Sequence, residues 1–320
     1  MKKIKILQGS CIDKIKELED NSIDCVVSSP PYFGLRDYGT AQWQGGDPNC
    51  EHQGIVLGNN RNFIDREGRG SNKKCLSSGD CLKCGAKRID LQFGLEKTYQ
   101  DYIANTVKVF ETFKPKLKDT ATIWWNVGDS YSSGLRTSTT NQSLRGGKDY
   151  GVTRTPVQNG IKEKDLLMIP NRVAIALQDA GWYIRSEIIW HKPNPMPESV
   201  RDRPTSCHEK IWLITKNKKY YYDADAIKVP TKDNSLKNIR NVWTITTKPF
   251  KEAHFATFPK DLIEPCIKAG CPEGGVVLDP FAGAGTTGLV ATENNRNAVL
   301  IELNGEYMAM AKKRIEETLL

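Results

Sequence analysis

The chain has 320 residues, of which 38% are hydrophobic and 26% charged, and its formal net charge is +8. This length accommodates one large α/β domain with an insertion, or two modest domains, around a sizeable core. No apolar run approaches the roughly 20 residues that span a bilayer, and the basic N-terminus leads directly into a strand with no signal-peptide apolar region. Nine cysteines, an odd number, argue against a secreted disulfide framework, so we expect a cytoplasmic protein without a membrane partner.

The first predicted elements are a strand over residues 3–8, a helix over 11–18 and a strand over 23–29. The second strand runs into Ser28-Ser29-Pro30-Pro31-Tyr32 and ends there, because two prolines lack N–H donors and cannot continue a ladder. The Ser29 hydroxyl and the Pro30 carbonyl are expected together at the carboxyl end of the strand, with Tyr32 beside them. Two acceptors next to an aromatic ring suit the exocyclic amino group of a stacked base. An ordinary strand-to-loop turn is the simpler alternative.

Residues 39–93 are predicted to be an insertion, since they are rich in Gly, Asn, Asp and Arg and lack apolar periodicity. A close Cys/His pair followed by a Cys-x-x-Cys knuckle in this insertion can close a tetrahedral zinc site. Such a metal would supply the stability that a segment without its own core lacks. We predict one structural zinc, with Cys75 as a spare ligand, and the alternative is a loop of reduced cysteines. The four predicted ligands are Cys50, His52, Cys81 and Cys84.

The middle of the chain alternates between helical and strand patterns. Two further stretches, 132–164 and 223–250, are polar, irregular and basic, a composition that is usually solvated surface. The predicted elements are a helix over 97–118, a strand over 120–127, a helix over 164–180, a strand over 182–190 and a strand pair at 208–215 and 219–222.

A glycine-rich turn begins at Asp279, after the apolar strand 276–278, and leads into a helix through about residue 296. A helix through about residue 269 precedes this unit, and a strand over 298–303 and a C-terminal helix follow it. The turn reads Asp279-Pro280-Phe281-Ala282-Gly283-Ala284-Gly285-Thr286-Thr287.

The same turn fits the G-x-G-x-x-G dinucleotide fingerprint, with Glu302 after the next strand, so a nicotinamide cofactor is an alternative. Three features argue against it. Asp279 suits a cationic amino-acid moiety, the Pro280-Phe281 pair offers a stacking wall, and no hydride-transfer apparatus is apparent.

Together, the segments Ser29–Tyr32 and Asp279–Thr287 resemble the target-base and S-adenosylmethionine motifs of amino-group DNA methyltransferases. The order, with the catalytic motif first, is that of the β group, and the resemblance covers nearly the whole chain. It implies an α/β fold with the Rossmann-like, doubly wound and mostly parallel sheet of class I S-adenosylmethionine-dependent methyltransferases, carrying a zinc-bearing insertion. The catalytic domain would comprise 1–38 and 94–320, with the cofactor half at about 250–320.

The resemblance also implies the site residues. The catalytic set would be Ser29, Pro30, Pro31 and Tyr32. The cofactor set would be Asp279, Pro280, Phe281, Gly283, Gly285, Thr286, Thr287, Glu302, Phe258 and Pro259.

The implied activity is methyl transfer from S-adenosylmethionine to the exocyclic amino group of a flipped base in a specific sequence of double-stranded DNA. The setting would be a restriction-modification system or a phage, in bacteria or archaea. Ser-Pro-Pro-Tyr resembles the version typical of N4-cytosine enzymes, which favours cytosine, and adenine N6 is the alternative. A catalytically inactive, zinc-bearing DNA-binding protein on the same fold is a second class of function. The insertion 39–93 and the segments 132–164 and 223–250 are the candidate target-recognition parts.

Overall fold

The computed structural model describes residues 3–35, 38, 40–52, 80–132, 160–247 and 258–319. The chain divides into two units: Met1–Asp37 with Phe93–Leu320, and Tyr38–Gln92. The strands and helices, in chain order, are β1 (Ile4–Gln8), α1 (Cys11–Lys16), β2 (Ile23–Ser28), β3 (Gln42–Gln44), β4 (Lys87–Ile89), α2 (Tyr99–Phe113), β5 (Leu117–Val127), α3 (Ile169–Asp179), β6 (Tyr183–His191), β7 (His208–Thr215), β8 (Val229–Pro230), β9 (Leu236–Lys237), β10 (Val242–Thr244), α4 (Lys260–Gly270), β11 (Val276–Asp279), α5 (Thr286–Glu293), β12 (Asn297–Glu302) and α6 (Gly305–Leu319).

Within the described residues of the larger unit, eight strands form one sheet in the order β1-β12-β11-β2-β5-β7-β6-β10. Neighbouring strands are parallel except where β7 pairs with β5 and β6, to both of which it is antiparallel. The predicted α/β class and mostly parallel sheet are therefore confirmed. All six residues of the central strand β2 are buried, and its sequence accordingly shows no regular alternation of apolar and polar residues.

Helices cover both faces of this sheet, as expected for a doubly wound fold. One core contains buried side chains of α1, α2 and α3, among them Ile15, Phe110 and Val173. The other core contains buried side chains of α4, α5 and α6, among them Ile263 and Ile315. With both faces covered, ligands can reach the sheet at its strand ends.

Local hydrogen bonds and backbone angles explain where helices α2 and α3 begin. The Thr98 hydroxyl accepts a 3.1 Å hydrogen bond from the Asp101 amide and caps α2. The predicted helix over 164–180 starts later, at Ile169, because Lys164 and Met168 have positive φ angles of 72° and 57°. Asp129, after the end of β5, accepts a hydrogen bond of 3.0 Å from the Ile169 amide and closes the start of α3.

Three further sequence predictions differ from the structure. Residues 219–222 form no strand; the Tyr221 amide makes a single 2.8 Å hydrogen bond to the Thr120 carbonyl. The segment 223–250, predicted to be irregular, contributes β10 to the main sheet, a strand too short to produce a periodicity. The helix after the glycine-rich turn ends at Glu293 rather than near residue 296. Among the helices that the structure describes, none is long and apolar enough to cross a membrane.

Candidate active site

The two motifs singled out in the sequence lie at the carboxyl ends of neighbouring strands. Strands β2 and β11 are parallel, with Cys25 opposite Val277 and Val26 opposite Leu278. The segment Ser29–Tyr32 follows β2, and the glycine-rich turn follows β11. Because carboxyl ends of parallel strands share one edge of a sheet, segments about 250 residues apart in sequence leave it side by side.

The Asp279 carboxylate lies inside the glycine-rich turn and is almost fully buried, with 1% of its surface exposed. It accepts hydrogen bonds from the Ser28 hydroxyl at 2.6 Å, the Thr287 hydroxyl at 2.6 Å and the Phe281 amide at 3.1 Å. Burial raises the pKa of Asp279 to about 6, although these donors lower it. The side chain therefore fixes the shape of the turn and ties it to the end of β2.

Two glycines of the turn have positive φ angles, 51° at Gly283 and 76° at Gly285. A Cβ atom at Gly285 would lie 2.7 Å from the Cβ of Ala311, so the turn packs closely against α6. A Cβ at Gly283 would meet no described atom within 4 Å, which leaves the backbone open to a ligand.

Glu302, at the end of β12, accepts hydrogen bonds from the Gly283 and Asn304 amides, each at 2.8 Å, one to each carboxylate oxygen. Burial raises the pKa of this carboxyl group above its usual value. Each oxygen retains a further lone pair for a ligand hydroxyl.

The other predicted cofactor residues lie in this turn or just before helix α4. Phe281 is partly buried against Phe93 and Trp125, with ring centroids 5.2 Å and 6.0 Å away. Thr286 and Thr287 open helix α5 and are buried. Pro259 precedes the first residue of α4, and Phe258 packs against the second core. Residues 248–257, which precede Phe258, lie outside the described residues.

The Tyr32 ring lies against the backbone just beyond the end of β5. A Cβ atom on Gly128 would lie 2.5 Å from Cε2 of Tyr32, so only glycine allows this approach. The Pro31 carbonyl accepts a hydrogen bond of 3.2 Å from the Tyr102 hydroxyl. This bond attaches the segment Ser29–Tyr32 to helix α2. Burial, with the nearby Glu209 carboxylate, raises the pKa of Tyr32 well above its usual value, so its hydroxyl remains a donor.

A polar cluster joins Tyr32 to three residues that the predicted site did not include. Tyr32 donates a 2.5 Å hydrogen bond to Oε2 of Glu209 and receives one of 3.2 Å from the Ser29 hydroxyl. Nδ2 of Asn126 lies 2.7 Å from the Tyr32 hydroxyl, 2.9 Å from Oε2 of Glu209 and 3.3 Å from Oγ of Ser29. Lys192 forms an ion pair with Oε1 of Glu209. We name Ser29, Tyr32, Asn126, Lys192 and Glu209 the polar cluster.

Strand direction explains why Glu209 was missed. Strand β7 is antiparallel to β5 and β6, so its first residues, rather than its last, reach the edge where β5 ends. Glu209 pairs with Trp190 of β6, and Lys192 follows Trp190 by two residues in the chain. A search for polar residues near the carboxyl ends of predicted strands finds Asn126, but it does not find a carboxylate at a strand's beginning.

In the unit Tyr38–Gln92, the four predicted metal ligands come together. One ligand atom from each of Cys50, His52, Cys81 and Cys84 lies within 4.8 Å of the others. Sγ of Cys50 is 3.9 Å from Sγ of Cys81, and Sγ of Cys84 is 3.3 Å from Nδ1 of His52. Tetrahedral zinc, with bonds of about 2.3 Å to sulfur and about 2.0 Å to nitrogen, requires roughly 3.3–3.8 Å between ligand atoms. Three thiols and one imidazole are a donor set that suits zinc, and the two distances of 3.9 Å and 3.3 Å are close to this range. Cys75 lies outside the described residues.

Short backbone contacts build this cluster. Strands β3 and β4 are antiparallel neighbours, and the knuckle after Cys81 is closed by hydrogen bonds from the Cys81 amide to the Ala86 carbonyl at 2.6 Å and from the Gly85 amide to the Cys81 carbonyl at 2.8 Å. A Cβ atom at Gly46 would lie 2.7 Å from Sγ of Cys84, so this glycine is needed for the approach.

Comparison with known proteins identifies the family. A sequence profile of the DNA methylase family, which comprises N6 and N4 methyltransferases, matches residues 23–313. The Type II methyltransferase M.SmaI of Serratia marcescens is 42% identical over 98% of this chain and 91% of its own length. The cytosine-N4-specific PvuII DNA methyltransferase has a similar fold, with a TM-score of 0.61 at 16% identity over 98% of this chain and 89% of that chain.

A Thermus thermophilus protein assigned as a DNA modification methylase, solved in complex with S-adenosyl-L-methionine, has a TM-score of 0.57 at 18% identity over 99% of this chain and 96% of that chain. These two structural similarities concern the fold, whereas the profile and the sequence identity decide the family. The chain therefore belongs to the N6/N4 DNA methylase family and is a DNA methyltransferase.

Proposed function

We propose that this protein transfers a methyl group from S-adenosylmethionine to the exocyclic amino group of a flipped base, cytosine N4 in the first place, within a specific sequence of duplex DNA. One observation carries the proposal: the polar cluster and the glycine-rich turn leave the sheet from neighbouring strands joined by the Ser28–Asp279 hydrogen bond. A donor and an acceptor of a methyl group bound at these two places would be neighbours.

The glycine-rich turn suits the proposed cofactor. The backbone at Gly283 is open, helix α5 begins beside it, and the Glu302 carboxylate has lone pairs for ribose hydroxyls. Phe258, Pro259 and the Pro280-Phe281 pair are proposed to supply apolar surface for this cofactor. S-adenosylmethionine supplies a methyl group on a sulfonium centre, which a nitrogen lone pair attacks directly. Family membership and the complex of the Thermus thermophilus protein favour this cofactor over a nicotinamide.

The catalytic role proposed for Ser29 and Pro30 is to accept hydrogen bonds from the amino group. An exocyclic amine conjugated with its ring is a poor nucleophile, and such bonds would draw the nitrogen towards tetrahedral geometry. The Ser29 hydroxyl donates to Tyr32 and accepts from Nδ2 of Asn126, which leaves one lone pair of its oxygen available to the base. Orientation of the two reactants is the main source of rate, worth about 7–11 kcal/mol in well-aligned cases.

Base flipping is proposed because the target amino group must gain access to the polar cluster. An amino group inside a duplex cannot reach a cluster at the sheet edge, so the target base must leave the stack. The Tyr32 ring, supported by the Gly128 backbone, would stack on the base. The net charge of +8 favours the approach of a polyanion.

Cytosine is proposed over adenine because Ser29-Pro30-Pro31-Tyr32 resembles the motif typical of N4-cytosine enzymes, and PvuII DNA methyltransferase, a structural neighbour, is cytosine-N4-specific. M.SmaI is a Type II methyltransferase, and a role in restriction-modification is proposed by analogy with it.

We further propose that Cys50, His52, Cys81 and Cys84 hold one structural zinc ion. The donor set and its spacing support this proposal. The metal would stabilise the unit Tyr38–Gln92, which we propose contacts DNA.

The test is transfer of radiolabelled methyl groups from S-adenosylmethionine to mixed-sequence duplex DNA. Digestion to nucleosides should place the label in N4-methylcytosine, and methylome sequencing should give one short motif. Label in N6-methyladenine would assign the alternative base. DNA binding without any label transfer would support the inactive DNA-binding protein instead.

A further inference from the structure

The side-chain oxygen of Asn126 is a buried acceptor that the described residues leave unused. Asn126 is 4% exposed, and its Oδ1 atom has no hydrogen-bond partner in the described part of the chain. A buried acceptor without a partner is costly, and in native proteins such atoms usually have a reason. The amide group lies within hydrogen-bonding distance of Ser29 and Tyr32.

The Glu209 carboxylate dictates which way this amide faces. An ionised carboxylate only accepts hydrogen bonds, so the amide presents its NH2 group to Oε2 of Glu209 at 2.9 Å. The ion pair with Lys192 occupies the other oxygen, Oε1. With Nδ2 committed to Glu209 and Tyr32, Oδ1 is held on the opposite side of the amide group.

The target base can supply the missing donor. On both cytosine and adenine, the exocyclic amino group carries the only N–H bonds of the base edge used for Watson–Crick pairing. An acceptor that bonds this edge must therefore bond the amino group itself.

We propose that Oδ1 of Asn126 accepts a hydrogen bond from the amino group that is methylated, and that Glu209 and Lys192 are a positioning pair which fixes the Asn126 amide in the accepting orientation. This inference rests on the proposed function and adds a third acceptor to Ser29 and Pro30. It predicts that the site recognises the presence of an amino group through Asn126, and not only the shape of the ring.

The test compares two duplexes containing the motif found by methylome sequencing. One carries the natural target base, and the other carries an analogue without the amino group: 2-pyrimidinone for cytosine, or purine for adenine. We expect the wild type to bind the natural duplex more tightly in the presence of a non-reactive cofactor product. Asn126→Ala should reduce that preference by about tenfold. Its affinity for S-adenosylmethionine, measured by calorimetry, should be unchanged.

Glu209→Gln tests the positioning pair. A glutamine can donate to the Asn126 amide as well as accept from it, so the amide can rotate and the preference should fall by about threefold to tenfold. The matched control is Asn217→Ala, a partly buried asparagine that bonds Asp119 at the opposite end of the sheet, which should retain the wild-type preference.

The outcomes separate this inference from the proposed function. If the wild type transfers methyl groups but Asn126→Ala keeps the full preference for the amino group, Asn126 is structural and the inference is wrong. If Asn126→Ala does not fold, the same preference for the natural duplex over the analogue duplex is measured with Asn126→Ser and Glu209→Gln. An unchanged preference in both variants would then show that the inference is wrong. A wild type that transfers no methyl group to any DNA overturns the proposed function first.

Discussion

The Ser28 hydroxyl donates a 2.6 Å hydrogen bond to the Asp279 carboxylate, across 251 positions of sequence. This buried contact connects the segment proposed to bind the base with the turn proposed to bind the cofactor. A change in the protonation or length of the Asp279 side chain therefore acts on both segments.

Asp279 should make stability depend on pH. Burial raises its pKa to about 6, above the value of about 4 in an unfolded chain, so the folded state holds the proton more tightly. Its contribution is fully present below about pH 4 and is lost as the pH rises through about 6. We expect the free energy of unfolding of the wild type to fall over this window by on the order of 2–3 kcal/mol more than that of Asp279→Asn.

Urea denaturation at several pH values measures this difference. The side-chain NH2 group introduced by Asp279→Asn can be accommodated because the Thr287 hydroxyl has a second acceptor, the Val27 carbonyl, at 3.4 Å. Equal pH dependence in the two proteins would contradict the prediction.

Glu302→Gln should weaken S-adenosylmethionine binding by about tenfold, as expected for loss of a charge-assisted hydrogen bond. The two carboxylate oxygens each accept a backbone amide, so an NH2 group in place of one would oppose the Gly283 or Asn304 N–H bond. Calorimetry gives the affinity, with Glu293→Gln, a substitution at the far end of α5, as the control. Equal affinities for the wild type and Glu302→Gln would remove Glu302 from the proposed cofactor site.

Gly128→Ala should impair the transfer step by displacing Tyr32. The added Cβ atom would lie 2.5 Å from the ring, and the ring cannot keep its place. We expect single-turnover methylation to fall at least about tenfold, as for misplacement of a reacting group, while cofactor affinity stays constant. Tyr32→Ala should lower methylation further.

The double variant provides the check. In a Tyr32→Ala background the clash is absent, so Gly128→Ala should change the melting temperature very little. A large destabilisation there would show that the glycine serves some other contact.

The proposed zinc site predicts about one equivalent of metal in protein purified without chelator. Cys81→Ser/Cys84→Ser should lose it, whereas Cys207→Ser, a thiol outside the cluster, should keep it. Gly46→Ala should weaken metal binding, because its Cβ atom would lie 2.7 Å from Sγ of Cys84 at a positive φ of 73°. Elemental analysis of each purified protein measures its metal content. A fully active preparation without metal would contradict a structural role for zinc.

Sequence specificity is proposed to reside in the insertion 39–93 and in the segments 132–164 and 223–250. The strands of the sheet are committed to the two binding segments, which leaves these parts to read neighbouring base pairs. Residues 53–79, 133–159 and 248–257 lie outside the described residues, so the proposal rests on composition there. Loss of a phosphate contact should weaken binding to all DNAs and reduce the slope of log K against log salt concentration by about 1. Loss of a base contact should instead reduce the discrimination between bases at one position of the motif by about 1–3 kcal/mol.

The experiment exchanges each segment with that of a relative of different specificity and sequences the methylome. The exchange of 223–250 must retain Val242–Thr244, because this strand belongs to the main sheet. If none of the three exchanges changes the methylated motif, recognition lies in the sheet domain.

The sequence by itself determined the elements that local chemistry encodes. Two prolines end β2, glycines with positive φ shape the turn after β11, and a Cys-x-x-Cys knuckle supplies two members of the Cys/His cluster. The family follows from the same short motifs, because each one depends on neighbours close to it in the chain. The α/β class and the mostly parallel sheet follow from alternation of helical and strand patterns.

Only the tertiary structure decided how these motifs are completed. Glu209 stands at the beginning of an ordinary strand, and Lys192 lies in a proline-rich loop, so neither has a local signature. They join Ser29, Tyr32 and Asn126 because β7 runs antiparallel to its neighbours, and strand direction depends on pairing across the sheet. For the same reason, the hydrogen bonds that tie Asp279 to Ser28 and Thr287 are known only from the structure. Side-chain partners hundreds of positions apart are set by packing, which periodicity and spacing do not encode.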